Sequence, residues 1–290
     1  MKNATIFLLA AMMMAAVMPL RAADSVDVTF RYSNPPATPP VLVGDFQVPT
    51  AWSNSNPAYT MSVAGGGVWT KTVRLPLGGN PAGTLPGTWQ YKFYYPGAGT
   101  WPNDPLNHHV NAADQGNTFI YAKDPTIYQV LPNQRQAVQT TATPRLSAYI
   151  FPKVGSSVDT SSLRFIVDGT VYAGLGPAYD PSSGLVAYTP AAPLANGAHT
   201  MIVRASSTSG GSNADTVTFY TLSGFVVITS QGGYGTLTAS RTLYGTVQGS
   251  GVTQVRIVRN QSDTTVVPAI AGKFTETVGL LAGLNTFVAL

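Results

Sequence analysis

The sequence predicts an all-β protein built of tandem antiparallel β-sandwiches of the immunoglobulin-like, early-set kind. Three observations carry that prediction. Readable segments alternate apolar and polar residues with period two, as half-buried strands do. They are short and are separated by Gly, Pro, Asn and Asp clusters, with 29 Gly and 22 Pro in 290 residues. No long segment of helical period follows Ala23. An enzyme barrel needs about 250 residues of alternating strands and helices, and no stretch shows that pattern.

Residues 1–23 stand outside the strand pattern. Lys2 begins them, an apolar run covers Ala4 to Leu20, and Arg21-Ala22-Ala23 precedes a polar stretch from Asp24. This reads as a secretory signal peptide cleaved after Ala22 or Ala23. The run is short for a membrane span, and no second run of spanning length follows. The mature protein is expected to be secreted, periplasmic or at the cell surface, with no membrane partner. The chain has no Cys, which excludes disulfides, thiolate zinc sites, cysteine nucleophiles and a lipoprotein anchor. Removing Lys2 and Arg21 leaves 14 basic residues against 12 acidic ones, a net charge of +2. So small a charge gives no electrostatic case for a nucleic-acid partner.

Three units follow. The first, 24–123, is rich in aromatic residues. Val26, Val28, Phe30 and Tyr32 share one strand face, and Trp89, Tyr91, Phe93 and Tyr95 share another. Trp69 and Trp89 are expected in its core, and Gly65-Gly66-Gly67 in a hairpin. A connector, 124–144, ends in the polar run Asn133 to Pro144. The second unit covers 145–222, with Leu163, Phe165 and Val167 on one face and Met201, Val203 and Ala205 on another. The third covers 223–290. It repeats an element of the second: Leu194 to Val203 matches Leu281 to Val288, each a turn with Gly, a polar residue and Thr before an apolar strand. The chain stops inside that strand of the third unit, where a sandwich normally continues. The sequence is therefore expected to be a fragment, with the third unit truncated.

The segment Val28 to Tyr121 resembles the glycogen- and starch-binding module (carbohydrate-binding family 48) found at the front of α-amylase-family enzymes and in the β subunit of AMP-activated kinase. The resemblance rests on Val41-Leu42-Val43-Gly44-Asp45-Phe46, Trp52, Tyr91-Lys92-Phe93, Trp101-Pro102-Asn103-Asp104-Pro105 and Asn117. It implies an α-glucan ligand, polysaccharide or oligosaccharide, with Trp52, Lys92, Trp101 and Asn117 as binding residues. The chemistry is coherent: an indole stacks on the C–H face of a glucose ring while amines and amides bond to its hydroxyl rim. Lys92 lies on the strand face opposite Tyr91 and Phe93, away from the aromatic core, and Tyr94 shares its face. Lys92 also reads as an ordinary solvated strand residue. Trp101 follows the turn Pro96 to Thr100, which favours exposure over packing. Trp52 sits farther from Gly-Asp-Phe than the family spacing, so contact and packing stay balanced there.

Asp124 to Pro132 looks like the first strand of the α-amylase barrel, but the chain then turns into the polar connector. The unit Pro144 to Phe219 resembles bacterial immunoglobulin-like spacers that stand before such barrels. The missing remainder would be the catalytic domain, acting in cis.

No catalytic site is expected in these residues. Glycoside hydrolysis needs two carboxyl groups about 5–9.5 Å apart across the bond. The acids are eleven Asp and one Glu, Glu276. Asp104, Asp124 and Asp180 precede Pro and Asp168 precedes Gly, which are turn contexts. His108-His109 would point opposite ways on a strand, so a metal site with Asp104 or Asp114 is set aside for a plain loop. His199 occupies the position of Asn285 in the repeat, which argues for a structural hydrogen bond rather than a catalytic base. No cofactor, metal or nucleophile elbow is expected. The leading expectation is the non-catalytic N-terminal region of a secreted α-amylase-family glycoside hydrolase. The alternative is an extracellular adhesion or scaffold protein that binds no sugar.

Overall fold

The structure is a computed structural model that describes residues 24–33, 38–222, 225–230, 238–248 and 253–289. The signal peptide expected over 1–23 lies outside the described residues. The protein is all-β, with antiparallel sheets and, among the described residues, two short 3₁₀ turns, Pro57–Tyr59 and Gly176–Ala178. No helix among the described residues is long and apolar enough to cross a membrane.

The first unit holds β1 (Ser25–Ser33), β2 (Val41–Gly44), β3 (Ser62–Val63), β4 (Val68–Pro76), β5 (Trp89–Tyr94), β6 (Val110–Asn111) and β7 (Asn117–Ile120). One sheet has the order β1-β4-β3 and the other β2-β5-β7-β6. Alternation decides which face is buried: Val26, Val28, Phe30 and Tyr32 of β1 point inward, as do Trp89, Tyr91 and Phe93 of β5. Their rings interlock edge to face, Phe30 with Tyr91 at 4.7 Å and Tyr32 with Phe93 at 4.4 Å. Each such ring contributes about 1.5–3 kcal/mol by burial. Trp89 is buried and donates Nε1–H to the Pro76 carbonyl at 2.9 Å, while Trp69 is partly buried against the same core. Gly65, Gly66 and Gly67 all take positive φ in the β3–β4 hairpin.

The second unit holds β8 (Thr126–Leu131), β9 (Leu146–Phe151), β10 (Val158–Val167), β11 (Thr170–Tyr172), β12 (Tyr179–Asp180), β13 (Leu185–Tyr188), β14 (Gly197–Ser207) and β15 (Ser212–Thr221). Its sheets have the orders β11-β10-β14-β15 and β12-β13-β9-β8. The third holds β16 (Phe225–Ile228), β17 (Ser240–Gln248), β18 (Gln254–Arg259), β19 (Asp263–Pro268), β20 (Lys273–Gly279) and β21 (Phe287–Ala289). Its sheets are β16-β17-β20 and β19-β18-β21.

The stretch expected as a connector does more than connect. Its first half is β8, an edge strand of the second unit that pairs Tyr128 with Tyr149. Ile127 and Val130 enter the second core, whereas Tyr128 enters the first. A strand buried on both faces reads as a near-continuous apolar run, which is why it resembles a barrel strand. A register shift after Tyr128, with Gln129 at φ 45°, turns the Gln129 side chain toward the first unit.

The repeat between the second and third units extends to hydrogen bonds. His199 Nε2 lies 2.8 Å from the Ala195 carbonyl, and Asn285 Nδ2 donates to the Leu281 carbonyl at 2.8 Å, four residues back in each case. Asp168 Oδ1 accepts from the Thr200 N–H at 2.9 Å, and Asn260 Oδ1 from the Thr286 N–H at 2.8 Å. Both Asp168 and Asn260 take left-handed φ as the first loop residue of a hairpin, of two residues (Asp168-Gly169) in the second unit and three (Asn260 to Ser262) in the third.

Candidate functional site

The candidate surface is the outward face of the β2-β5-β7-β6 sheet. On β5 the inward residues Trp89, Tyr91 and Phe93 alternate with Gln90, Lys92 and Tyr94. After β5 the chain turns at Gly99, φ 64°, and Tyr95 N–H donates to Thr100 O at 3.0 Å. It returns beside β5, where Phe93 N–H donates to the Pro102 carbonyl at 2.9 Å. That return sets Trp101 against Tyr94, with ring centroids 4.9 Å apart and planes tilted by 52°. Trp101 is 39% exposed. Lys92 is half-buried, and its Nζ donates to the Gln115 carbonyl at 3.4 Å. Lys92, Tyr94 and Trp101 therefore lie on one side of the fold.

Asn117 shares that face. The pairs Trp89–Ile120, Gln90–Phe119 and Tyr91–Thr118 put it opposite Lys92 at the next step of the register. It is only 6% exposed, and its N–H closes the turn to Asp114 O at 2.9 Å. Trp52 is held elsewhere. Its N–H donates to the Gly44 carbonyl at 2.9 Å, and its φ is 60°. Gly44 pairs with Tyr91, whereas Val41 pairs with Tyr94. At about 3.3 Å per residue, its anchor is about 10 Å along the sheet from that of Trp101. The structure thus groups Lys92 and Trp101 around Tyr94, with Asn117 beneath, and keeps Trp52 apart.

Other motif residues hold the framework. A Cβ on Gly44 would lie 2.5 Å from Gln90 O and 2.6 Å from the Phe46 ring, so only Gly fits. Asp45 Oδ1 accepts from Gln90 N–H at 3.0 Å. Burial pushes the Asp45 carboxyl up to about 6; its Oδ2 is buried without a hydrogen-bond partner, and the bond from Gln90 N–H to Oδ1 offsets this only in part.

Asp104 was expected in a turn, and its Oδ1 does accept from Leu106 N–H at 2.8 Å. It is also fully buried, with Oδ2 accepting from Tyr91 Oη at 2.7 Å, Tyr128 Oη at 2.8 Å and Gln129 Nε2 at 2.9 Å. Burial raises its pKa despite those four bonds. Tyr91 comes from the first unit and the other two from β8, so the carboxylate seals the seam between units.

The loop expected at the two histidines is there, but it is not a plain one. His108 and His109 lie in a loop, with ring centroids 3.8 Å apart, and both face Asp215 of β15. Asp104 and Asp114, their acidic neighbours in sequence, are engaged elsewhere; Asp114 Oδ2 accepts from Thr84 Oγ1 at 2.6 Å. His199 is bonded through both ring nitrogens, Nδ1 to Asp168 Oδ2 at 2.6 Å and Nε2 to Ala195 O and Thr221 Oγ1 at 2.8 Å each. The Thr221 hydroxyl is buried and already donates to Ala195 O. This Thr-His-Asp row offers no accessible nucleophile and fastens the repeat turn.

The fold thus defines a chain of packed antiparallel β units with an exposed aromatic ledge on the first. No protein-family model matches this sequence, and no curated protein does. Among solved structures, the chain is similar to dimeric latent PorU from Porphyromonas gingivalis at 11% identity and a TM-score of 0.32. That alignment covers 92% of this chain and 29% of PorU, so this chain spans less than a third of its length. A tetra-tandem repeat from the extending region of a large adhesion protein aligns at 13% identity and a TM-score of 0.25, covering 91% of this chain and 69% of that one.

Proposed function

We propose that the first sandwich binds α-glucan chains of the starch or glycogen type through Trp101, Tyr94 and Lys92. In this reading it is a non-catalytic module of a secreted α-amylase-type glycoside hydrolase. The second and third units space it from a catalytic domain in cis. The observation that carries the reading is the partly exposed indole packed on Tyr94, two residues along the strand from an outward amine. Tilted rings offer a sugar chain two apolar faces at an angle, and the amine can bond to the hydroxyl rim. Asn117 supports the floor of this surface. Trp52, anchored about three residues farther along the sheet than Trp101, serves a neighbouring ring of a longer chain.

Retention on insoluble starch and calorimetry with a soluble malto-oligosaccharide test the proposal. Wild type is expected to be retained with weak affinity, because one shallow site gains only a few kcal/mol net. Trp101→Ala should weaken binding by about tenfold, the worth of one stacked ring. A wild-type protein that stays in the supernatant, or a variant that binds equally well, overturns it and leaves the scaffold reading.

A further inference from the structure

The seam between the first two units carries a second cluster, unrelated to the aromatic ledge. His108 Nε2 lies 3.1 Å from Asp215 Oδ1, and His109 Nε2 lies 3.3 Å from Asp215 Oδ2. One ligand atom from each of the three residues falls within 4.8 Å of the other two. A tetrahedral ion with bonds of about 2.0–2.2 Å holds its ligand atoms about 3.3–3.6 Å apart. Each contact comes within a few tenths of an ångström of that edge, and the two end on different oxygens of the one Asp215 carboxylate. Two imidazoles and one carboxylate with a fourth position left open are a donor set that suits zinc and its first-row neighbours.

The donors are held in place before any ion arrives. Asn107 fixes the histidine loop: its Oδ1 accepts from His109 N–H at 3.1 Å, and its Nδ2 donates to Tyr91 Oη and Phe119 O. Arg135 Nη1 donates to the carbonyls of Asp104 and Asn107 on the same loop. The His109 ring stacks on Phe119 at 5.1 Å and meets the edge of Tyr121 at 5.3 Å. Asp215 is set within β15, where its Oδ1 also accepts from Thr216 N–H at 2.8 Å. The His108 side chain is 5% exposed, and its Nδ1 is buried with no partner among the described residues. The ring's polar anchor is its Nε2, on the side of Asp215. His109 is 21% exposed, the more open of the two rings.

We propose that His108, His109 and Asp215 form a divalent-metal site of the zinc class that ties the first sandwich to the second. Both histidines belong to the first unit and Asp215 to the second, so an ion there cross-links the seam and fixes the ledge relative to the spacer.

The test uses the full chain without a histidine tag, stripped with chelator and titrated with zinc chloride alone. One equivalent should bind in the micromolar range or tighter. A hundredfold excess over Kd should raise Tm by roughly 5 °C. Cobalt should give the intense visible bands of a tetrahedral site. Asp215→Asn and His109→Gln should each weaken binding by roughly tenfold or more. His109→Gln changes the more exposed ring, so it keeps the test open if Asp215→Asn fails to fold. Absence of saturable zinc binding, or equal affinity in the His109→Gln variant, overturns the site.

Discussion

At the scale of the residue, the outline of a motif and its chemistry separate. Gly44-Asp45-Phe46 is framework: Gly44 leaves room for Gln90 O and the Phe46 ring, and Phe46 stacks on Phe30 at 5.6 Å. Gly44→Ala should cost about 1–3 kcal/mol by overpacking, read as a lower urea midpoint. Asp45 gives a pH signature. Its folded pKa, about 6, lies above the ordinary 3.8. The folded state therefore holds the proton more tightly than the unfolded one. The stability this contributes is complete below about pH 4 and is lost as pH rises through 6. Between pH 4.5 and 7.5 the urea midpoint of wild type should fall relative to that of Asp45→Asn; parallel midpoints would refute the assignment. Lys92 and Trp101 were both legible as outward residues, because alternation and the preceding turn are local. The burial of Asn117 was not, since it depends on the turn folded over it.

At the scale of the element, β8 shows how a stretch expected as a connector can begin with a strand that belongs to a core. Its run from Thr126 to Leu131 is mostly apolar and buried on both faces because it lies between two cores. A barrel strand looks the same for the same reason. The turn repeat was legible from Leu194 to Val203 and Leu281 to Val288, and the hydrogen bonds match it step for step. His199 does more in the second unit than Asn285 in the third, since it is buried and touches Asp168, Ala195 and Thr221 together. His199→Ala should destabilise the protein by about 2–3 kcal/mol. On the glucan-binding proposal it should leave starch retention unchanged; loss of retention without unfolding would assign it a role that the geometry does not support.

At the scale of the whole molecule, the first two units are joined through their cores rather than by a tether. Tyr128 and Phe151 of the second unit's sheet enter the first core, and Asp104 accepts from Tyr128 and Gln129 across the seam. Arg31 of β1 lies over the Tyr149 ring at 4.5 Å and donates to Ser183 O at 3.2 Å. The two units should therefore unfold in one calorimetric transition. Asp104→Asn places an amide among three donors and should lower that transition by about 2–3 kcal/mol without splitting it. Two separate transitions in wild type would show that the seam couples weakly.

The sequence by itself determined the all-β class, the inward and outward faces of β1, β5 and β14, and the turn repeat. Each follows from contacts within a few residues, where the alternation of side chains along a strand leaves little freedom. Only the tertiary structure decided that Asp104 faces Tyr128, that Asp215 meets His108 and His109, and that Trp52 stands apart from Trp101. Those meetings depend on how sheets stack and strands shift register, and neither leaves a periodic trace along the chain.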